Sequence, residues 1–255
     1  MRFALLGSGS EGNALVVEVG GTRVLMDCGF SLAETISRLL RIGLQPQQLQ
    51  AIVVTHEHGD HIGGVARLAR KFSLPVFLTH GTLRSQNGKF ANVAEVIEIN
   101  SHLPFSIGEV QIQRYPVPHD ASEPVQFVFS DGIRKLGVLT DVGCSTSHIE
   151  MILNGCDALI LECNHDRDML ANGEYPYHLK QRVGGRFGHL DNDTAAELLA
   201  RLDTAKLQHI VAAHLSHKYN TRELAVGALC RSLSGMENKI LVATQEDGLN
   251  WCEIF

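Results

Sequence analysis

One short apolar run is followed at once by four side chains of metal-binding type. The run is Ala51–Thr55, whose β-branched residues predict a buried strand. Its continuation reads His56-Glu-His-Gly-Asp-His61. Three imidazoles and one carboxylate would leave the same strand end, and their nitrogen and oxygen atoms suit zinc, manganese or iron. Alternate positions can serve two neighbouring ions, with His56 and His58 on one and Asp60 and His61 on the other.

Length and composition limit the classes of protein that this chain can form. A chain of 255 residues with 44% apolar content can bury a sizeable core, and strand-like and helix-like segments alternate to its end, which predicts one domain over residues 1–255. No apolar run approaches the ~20 residues of a membrane span, and no signal peptide is visible, so we expect a soluble, cytoplasmic protein without membrane contact. The six cysteines are isolated, and we expect them to be reduced. A net charge of −6 argues against a wholly basic surface for nucleic acid but allows a local basic patch.

The first three predicted strands surround a loop rich in glycine and serine. They cover Arg2–Gly7, Ala14–Val19 and Thr22–Met26. The glycines of the loop at 8–13 permit backbone amides to converge on an anion, so Ser10 and Asn13 are candidate phosphate contacts. A simple hairpin connection is the alternative interpretation of this loop.

Predicted helices and strands alternate along the rest of the chain. The helices cover Leu32–Ile42 behind an N-cap at Ser31, Ile62–Phe72, Ser145–Leu153, Asp193–Leu202 and Thr221–Leu233. The further strands cover Val76–Thr79, Val110–Val117, Val125–Ser130, Ile133–Thr140, Asp157–Cys163, His209–Ala213, Ile240–Ala243 and Leu249–Ile254, the last two closing the sheet. Residues 81–93 are only weakly patterned. Polar residues follow several strand ends, namely Asp27, His119, Asp141, His165 and His214.

The central segment from Thr55 to Gly64 resembles the His-x-His-x-Asp-His signature of the metallo-β-lactamase-fold hydrolases. The flanking strand and Gly63-Gly64 argue against a mere histidine-rich surface turn. The resemblance implies an α/β architecture, the αββα four-layer sandwich, with the site in the cleft between two sheets. It also implies further ligands: His119 for the first ion, His214 for the second, and Asp141 between both. Asp27 would then support the metal site by orienting a ligand rather than binding metal.

The segment from Asn164 to Asn192 resembles one branch of that superfamily more closely. It contains Asn164-His-Asp-Arg-Asp-Met-Leu170, Tyr175-Pro-Tyr-His-Leu-Lys-Gln-Arg182 and Gly188-His-Leu-Asp-Asn192. These stretches are similar to the YycJ/WalJ branch, cytoplasmic bacterial enzymes described as 5′-to-3′ exonucleases on duplex DNA. Glu11 and Asp191 depart from the small serines expected of that branch.

A local basic strip lies between Tyr177 and Leu190. It contains Lys180, Arg182 and Arg186 with His178 and His189, and no acidic residue. Such a strip can hold a phosphate backbone by charge-assisted hydrogen bonds. A solvated helix face is the alternative, most readily for Lys180.

Together these features predict metal-assisted hydrolysis of a phosphodiester, with nucleic acid as the substrate and DNA favoured by the resemblance. Two divalent ions, zinc or manganese before iron, would activate water, and Asp60, His189 and His165 are the candidate catalytic residues. The rivals are a small-substrate hydrolase, either a glyoxalase II-like thioesterase or a cyclic-phosphate diesterase, and a non-catalytic metal-stabilised binding module. The intact His58 disfavours a redox di-iron enzyme, whose branch usually carries Glu there. The sequence does not indicate an oligomeric state.

Overall fold

Two sheets of seven strands each form the centre of the computed structural model, which describes residues 1–100, 103–233 and 237–255. The strands are β1 (Arg2–Gly7), β2 (Ala14–Val19), β3 (Thr22–Met26), β4 (Ala51–Val53), β5 (Val76–Leu78), β6 (Val96–Glu98), β7 (Phe105–Ile107), β8 (Val110–Pro116), β9 (Val125–Ser130), β10 (Lys135–Leu139), β11 (Ala158–Glu162), β12 (His209–Ala213), β13 (Ile240–Val242) and β14 (Leu249–Glu253). The helices are α1 (Leu32–Arg41), α2 (Gly59–Ile62), α3 (Val65–Phe72), α4 (His80–Ser85), α5 (Ser147–Leu153), α6 (Arg167–Asn172), α7 (Tyr177–Val183), α8 (Asn192–Arg201) and α9 (Arg222–Ser232). None of these helices is long and apolar enough to cross a membrane.

The two sheets share one pairing pattern. Their strand orders are β14-β1-β2-β3-β4-β5-β6 and β7-β8-β9-β10-β11-β12-β13. In each order the first three pairings are antiparallel and the last three are parallel. The central strands β3 and β10 therefore occupy equivalent places, as do β4 and β11, and β5 and β12.

Three apolar clusters lie between the four layers of the fold, which are helices, sheet, sheet and helices. The inner cluster packs the sheets face to face and includes Phe3 and Phe127, while alternate residues of the same strands face outward. The outer face of the first sheet is covered by Leu39 of α1 and Leu68 of α3. The outer face of the second sheet is covered by helices α5, α8 and α9, for example through Leu229. The central strands, such as β2, β4 and β11, are thus buried on both faces, and the predicted αββα sandwich is confirmed.

The sequence-based assignment was wrong where elements are short or broken. The helix predicted over Ile62–Phe72 is interrupted, because α2 ends at Ile62 and α3 begins at Val65. Gly63 and Gly64 lie between them, and a Cβ on Gly64 would clash with the carbonyl oxygen of Phe30. The weakly patterned stretch begins with α4, capped by Thr79. Strands β6 and β7 were not predicted, because three residues give too short a pattern. The last two strands do not close one sheet: β13 borders β12 and β14 borders β1.

The first prediction concerns the contribution of the inner apolar cluster to stability. Phe127 is fully buried there beside Phe129, so Phe127→Ala should lower the free energy of unfolding by about 3–5 kcal/mol in urea denaturation. Ile133 is 84% exposed, and Ile133→Ala should stay within about 0.5 kcal/mol of the parent. A loss below about 1 kcal/mol for Phe127→Ala would contradict the tight packing between the sheets.

Candidate metal centre

Six polar segments meet at one edge of the sandwich, because the carboxyl ends of parallel strands lie at the same edge of a sheet. They follow six strands: Asp27 follows β3, His56 to His61 follow β4, His119 follows β8, Asp141 follows β10, Asn164 and His165 follow β11, and His214 follows β12. The residues that the sequence analysis selected as metal ligands therefore come together from both sheets.

The first group contains His56, His58 and His119, whose ligand atoms lie within 4.8 Å of one another. Nδ1 of His119 donates to the carbonyl of Gly188 at 3.1 Å, so its Nε2 is free of a proton and lies 3.3 Å from Nδ1 of His58. Nδ1 of His56 contacts the Thr55 hydroxyl at 2.9 Å. Fixing one ring nitrogen by a hydrogen bond leaves the other as a ligand.

The second group contains Asp60, His61, Asp141 and His214, again within 4.8 Å. Nε2 of His61 lies 3.2 Å from Oδ2 of Asp141 and 3.3 Å from Oδ2 of Asp60. Nε2 of His214 lies 3.6 Å from Oδ1 of Asp141. The same Oδ1 lies 3.9 Å from Nε2 of His119 in the first group, so the Asp141 carboxylate faces both groups.

Three buried atoms in these groups have no hydrogen-bond partner among the residues that the structure describes: Nε2 of His56, Oδ2 of Asp141 and Nε2 of His214. A buried polar atom left unpaired costs about 1–3 kcal/mol, so such a concentration calls for a partner. Nitrogen and carboxylate oxygen are donors that divalent cations accept. The side chains present therefore fit divalent metal ions.

Asp27, which follows a strand of the first sheet, fixes the orientation of the ligand residue His61. Its Oδ2 accepts from Nδ1 of His61 at 2.8 Å and from the Thr55 hydroxyl at 2.8 Å, and its Oδ1 accepts from the Thr55 amide at 2.9 Å. Burial raises the pKa of Asp27, although His61 opposes the rise. The contact is the one that an orienting role requires, because it directs Nε2 of His61 toward Asp60 and Asp141.

Glu162 has the corresponding place on the second sheet, and the sequence analysis assigned it no role. Its fully buried carboxylate accepts from Nδ1 of His214 at 2.8 Å and from Nδ1 of His189 at 2.9 Å. It also accepts from three backbone amides, those of Asp141, Val142 and Leu190. Burial opposes its ionisation, but the two imidazoles lower the pKa of Glu162 to about 2. A glutamate that ends the apolar strand Ala158–Leu161 was the available signal.

Carboxylates dominate the electrostatics of the second group. Burial alone would lower the pKa of His214, but Asp141, Asp60 and Glu162 outweigh it and raise that pKa to about 10. Burial likewise opposes ionisation of Asp60, yet the neighbouring imidazoles His61 and His214 hold its pKa well below the usual range. The group attracts positive charge, which is the condition for binding a cation.

An open cleft of about 210 Å³, here called the metal cleft, adjoins both groups. Among its lining residues are Ser10, Asp60, His165, Arg182 and His189. Ser10 is thus at the cleft as a substrate contact requires. Asn13 is not: its amide group donates to the carbonyl of Gly9 at 2.9 Å and contacts Asp60 Oδ2 at 3.3 Å, and it does not line the metal cleft.

The two candidate catalytic histidines differ in their surroundings. Nδ1 of His189 donates to Glu162, and this carboxylate raises the pKa of His189 against the effect of burial. Nε2 of His189 is therefore left for a substrate. His165 is buried, which lowers its pKa, and its Nδ1 lies 3.3 Å from Oδ1 of Asn164.

The basic strip does not act as one surface. Arg182 lines the metal cleft and pairs with Asp120, Nε to Oδ2 at 2.6 Å. Lys180 lies on the other side of α7, donates to the carbonyl of Ala171 at 2.6 Å and lines a different cavity. Arg186 is exposed, and its side chain lines neither space. Positions 180 and 182 are about 200° apart around a helix, so one helix cannot aim both at the same ligand.

The fold and these two groups define a class of protein. The family model of the beta-lactamase superfamily domain matches residues 22–214, and the chain belongs to this superfamily of metallo-β-lactamase-fold hydrolases.

Relatives and a solved structure agree with that membership. The chain is 36% identical over 231 residues to the exodeoxyribonuclease YycJ of Bacillus anthracis, covering 88% of this chain and 86% of that protein. It is 33% identical to the exodeoxyribonuclease WalJ of Streptococcus pneumoniae, covering 88% and 85%. The crystal structure of the metallo-β-lactamase-fold protein YhfI from Bacillus subtilis superposes with a TM-score of 0.77 at 18% identity, covering 99% of each chain.

The second prediction concerns the effect of the contact between Asp27 and His61 on metal affinity. Asp27→Asn replaces one carboxylate oxygen by an NH₂ group, which cannot accept a hydrogen bond. The variant therefore loses a hydrogen bond to His61 or to Thr55, and metal affinity should fall by about 10–100-fold. A competition titration with a chromogenic chelator measures this. Asp157→Asn is the matched control, because Asp157 also accepts from a backbone amide, that of Lys135 at 2.8 Å, far from the metal cleft. Unchanged metal affinity with a lowered melting temperature would make Asp27 purely structural.

Proposed function

We propose that this chain is a metal-dependent phosphodiesterase that degrades DNA from an end, in the 5′-to-3′ direction on duplex substrate. The observation that carries the proposal is the Asp141 carboxylate between two ligand groups at the floor of an open cleft. The naming of both YycJ and WalJ as exodeoxyribonucleases supports DNA as the substrate.

Two divalent ions would be held by the side chains of the two groups. His56, His58 and His119 would hold one, Asp60, His61 and His214 the other, and Asp141 both. These donors are imidazole nitrogens and carboxylate oxygens, and among the metals that such sites accept we propose zinc or manganese. When bound, such a pair lowers the pKa of a water molecule and stabilises charge on a phosphate.

The chain's own residues bind and orient the substrate. Arg182 offers guanidinium donors to a phosphate at the mouth of the metal cleft, with Asp120 fixing its Nε. His189 holds a proton at Nδ1 against Glu162 and directs Nε2 into the metal cleft, where a protonated ring can donate to the leaving oxygen. Asp60, also in the lining, is the candidate to accept a proton from water.

The setting of this activity is also part of the proposal. All six cysteines are free, which suits a reducing cytoplasm. Burial raises the pKa of Cys28 to about 11 and that of Cys156 to about 12, and it raises the pKa of Cys163 well above its ordinary value. We propose that residues 1–255 form one domain, because the inner apolar cluster joins strands from β1 to β14.

The two ligand groups make the third prediction. Elemental analysis of metal-reconstituted protein should find two ions per chain. Asp141→Ala should lose at least one, because its carboxylate faces both groups. His165→Ala should keep both, because His165 belongs to neither group. At most one ion in the parent protein, or metal loss in His165→Ala, would overturn this assignment.

The position of Arg182 makes the fourth prediction. Each arginine–phosphate contact releases counterions, so Arg182→Ala should flatten the log–log slope of DNA affinity against salt by about 0.9. Fluorescence anisotropy with a phosphorothioate duplex, which resists cleavage, measures the slope. Arg201→Ala is the matched control, because Arg201 also pairs through Nε with one carboxylate, Glu150 at 2.9 Å, and does not line the metal cleft.

Hydrolysis assays separate the proposed function from its rivals. Duplex DNA, single-stranded DNA, RNA and a small chromogenic diester are compared for the parent and for Arg182→Ala. Salt-sensitive DNA cleavage that weakens in Arg182→Ala supports the proposal. Turnover of the small diester or a thioester alone would assign the chain to the small-substrate hydrolases, and no turnover with metal bound would indicate a binding module.

A further inference from the structure

A second cavity, here called the side cavity, lies between α6 and α7, on the far side of α7 from Arg182. Its volume is about 510 Å³, which falls within the range of roughly 300–1,000 Å³ typical of ligand sites. Its lining includes His165, Arg167, Leu170, Tyr177, Lys180 and Gly184. Nothing in the chemistry described above uses this space.

The side cavity opens next to the metal cleft. His165 lines both spaces, and Nε2 of His165 would lie 3.8 Å from a Cβ on Gly184. Of the described residues that line either space, His165 is the one that the two linings share. A ligand with one end in the metal cleft can therefore extend past His165 into the side cavity.

The surfaces of the side cavity suit a flat, heteroaromatic group. The ring of Tyr177 is 77% exposed there and offers a face for stacking, and Leu170 gives an apolar floor. Gln181 adds an amide that can pair with the donors and acceptors of a base edge.

The charges of the lining favour a ligand that carries phosphate nearby. Arg167 is paired with Asp191, Nε to Oδ1 at 2.9 Å, and Asp191 also caps α8, so the acid is neutralised. The Lys180 ammonium contacts only the carbonyl of Ala171 and, among the described residues, pairs with no carboxylate. One uncompensated positive charge remains beside an aromatic face.

We propose that the side cavity binds the nucleobase of the nucleotide whose phosphate lies in the metal cleft. The proposal rests on the proposed function and extends it: the enzyme would hold the terminal nucleotide by its base as well as by its phosphate. Stacking on Tyr177 tolerates any base, because every base has a π-face, so digestion would need no particular sequence.

The test compares two ligands that differ by the base alone. Calorimetric titration of metal-loaded protein uses 2′-deoxyadenosine 5′-monophosphate and 2-deoxyribose 5-phosphate, neither of which is a diester. The nucleotide should bind about tenfold more tightly, the affinity expected for one stacked base.

Two variants locate that preference in the side cavity. Gly184 has an ordinary backbone conformation, φ −88° and ψ 8°, and its Cβ would meet Leu170 and His165 at 3.6 and 3.8 Å. Gly184→Leu should therefore fill the cavity without backbone strain and reduce the preference toward onefold. Tyr177→Ala should also reduce it and Tyr177→Phe should restore it. Phe255→Ala, which removes a ring that is 79% exposed elsewhere, should retain the parent preference.

Equal affinity of the parent for both ligands, or no measurable binding of either, overturns the proposal. Parent-like preference in both Gly184→Leu and Tyr177→Ala also overturns it, with metal content confirming that each variant is folded. These outcomes are independent of the nuclease assay: DNA cleavage without a base preference defeats the side cavity alone, and a base preference without DNA cleavage defeats the proposed function alone.

Discussion

Two buried carboxylates, one from each sheet, hold the polar edge of this sandwich together. Asp27 accepts from His61 and from two groups of Thr55, while Glu162 accepts from two imidazoles and three backbone amides. A buried charge is tolerated only when its hydrogen bonds are complete. Because both sets are complete, each carboxylate fixes the direction of a ligand imidazole and the path of the neighbouring loop. The positions of His61 and His214 in the second ligand group follow from these two networks.

The equivalence of the sheets explains why the networks face each other. β3 and β10 are the middle strands of their sheets, and each is followed by an aspartate, Asp27 and Asp141. One aspartate orients a ligand, and the other lies between the ligand groups. Packing the sheets face to face brings these equivalent strand ends to one edge, so a repeated architecture gives a site whose halves have different chemistry.

Much of this arrangement could be predicted from the sequence. The segment at 56–61 follows a strand as expected, and resemblance to a family located His119, Asp141 and His214 at further strand ends. Glu162 was missed because a lone acid after an apolar strand resembles an ordinary turn residue until the loop near Leu190 returns to it. The division of the basic strip was missed because α7 follows Pro176 and has no buried residue, so no apolar period marks it as a helix.

Asp27, Asp141 and His214 share a backbone feature with a consequence for lineages of this fold. Their φ angles are +60°, +54° and +56°, the left-handed region that Asn, Asp, His and Gly enter most readily and that β-branched residues avoid. In a related protein that no longer binds metal, the backbone would still restrict the residue types at these positions, and substitutions to Asn or Gly would be favoured. His56 and His119 have no such restriction, since their φ angles are not positive. Loss of the imidazole at position 56 or 119 would therefore be a clearer sign of lost metal binding than a substitution at position 27, 141 or 214.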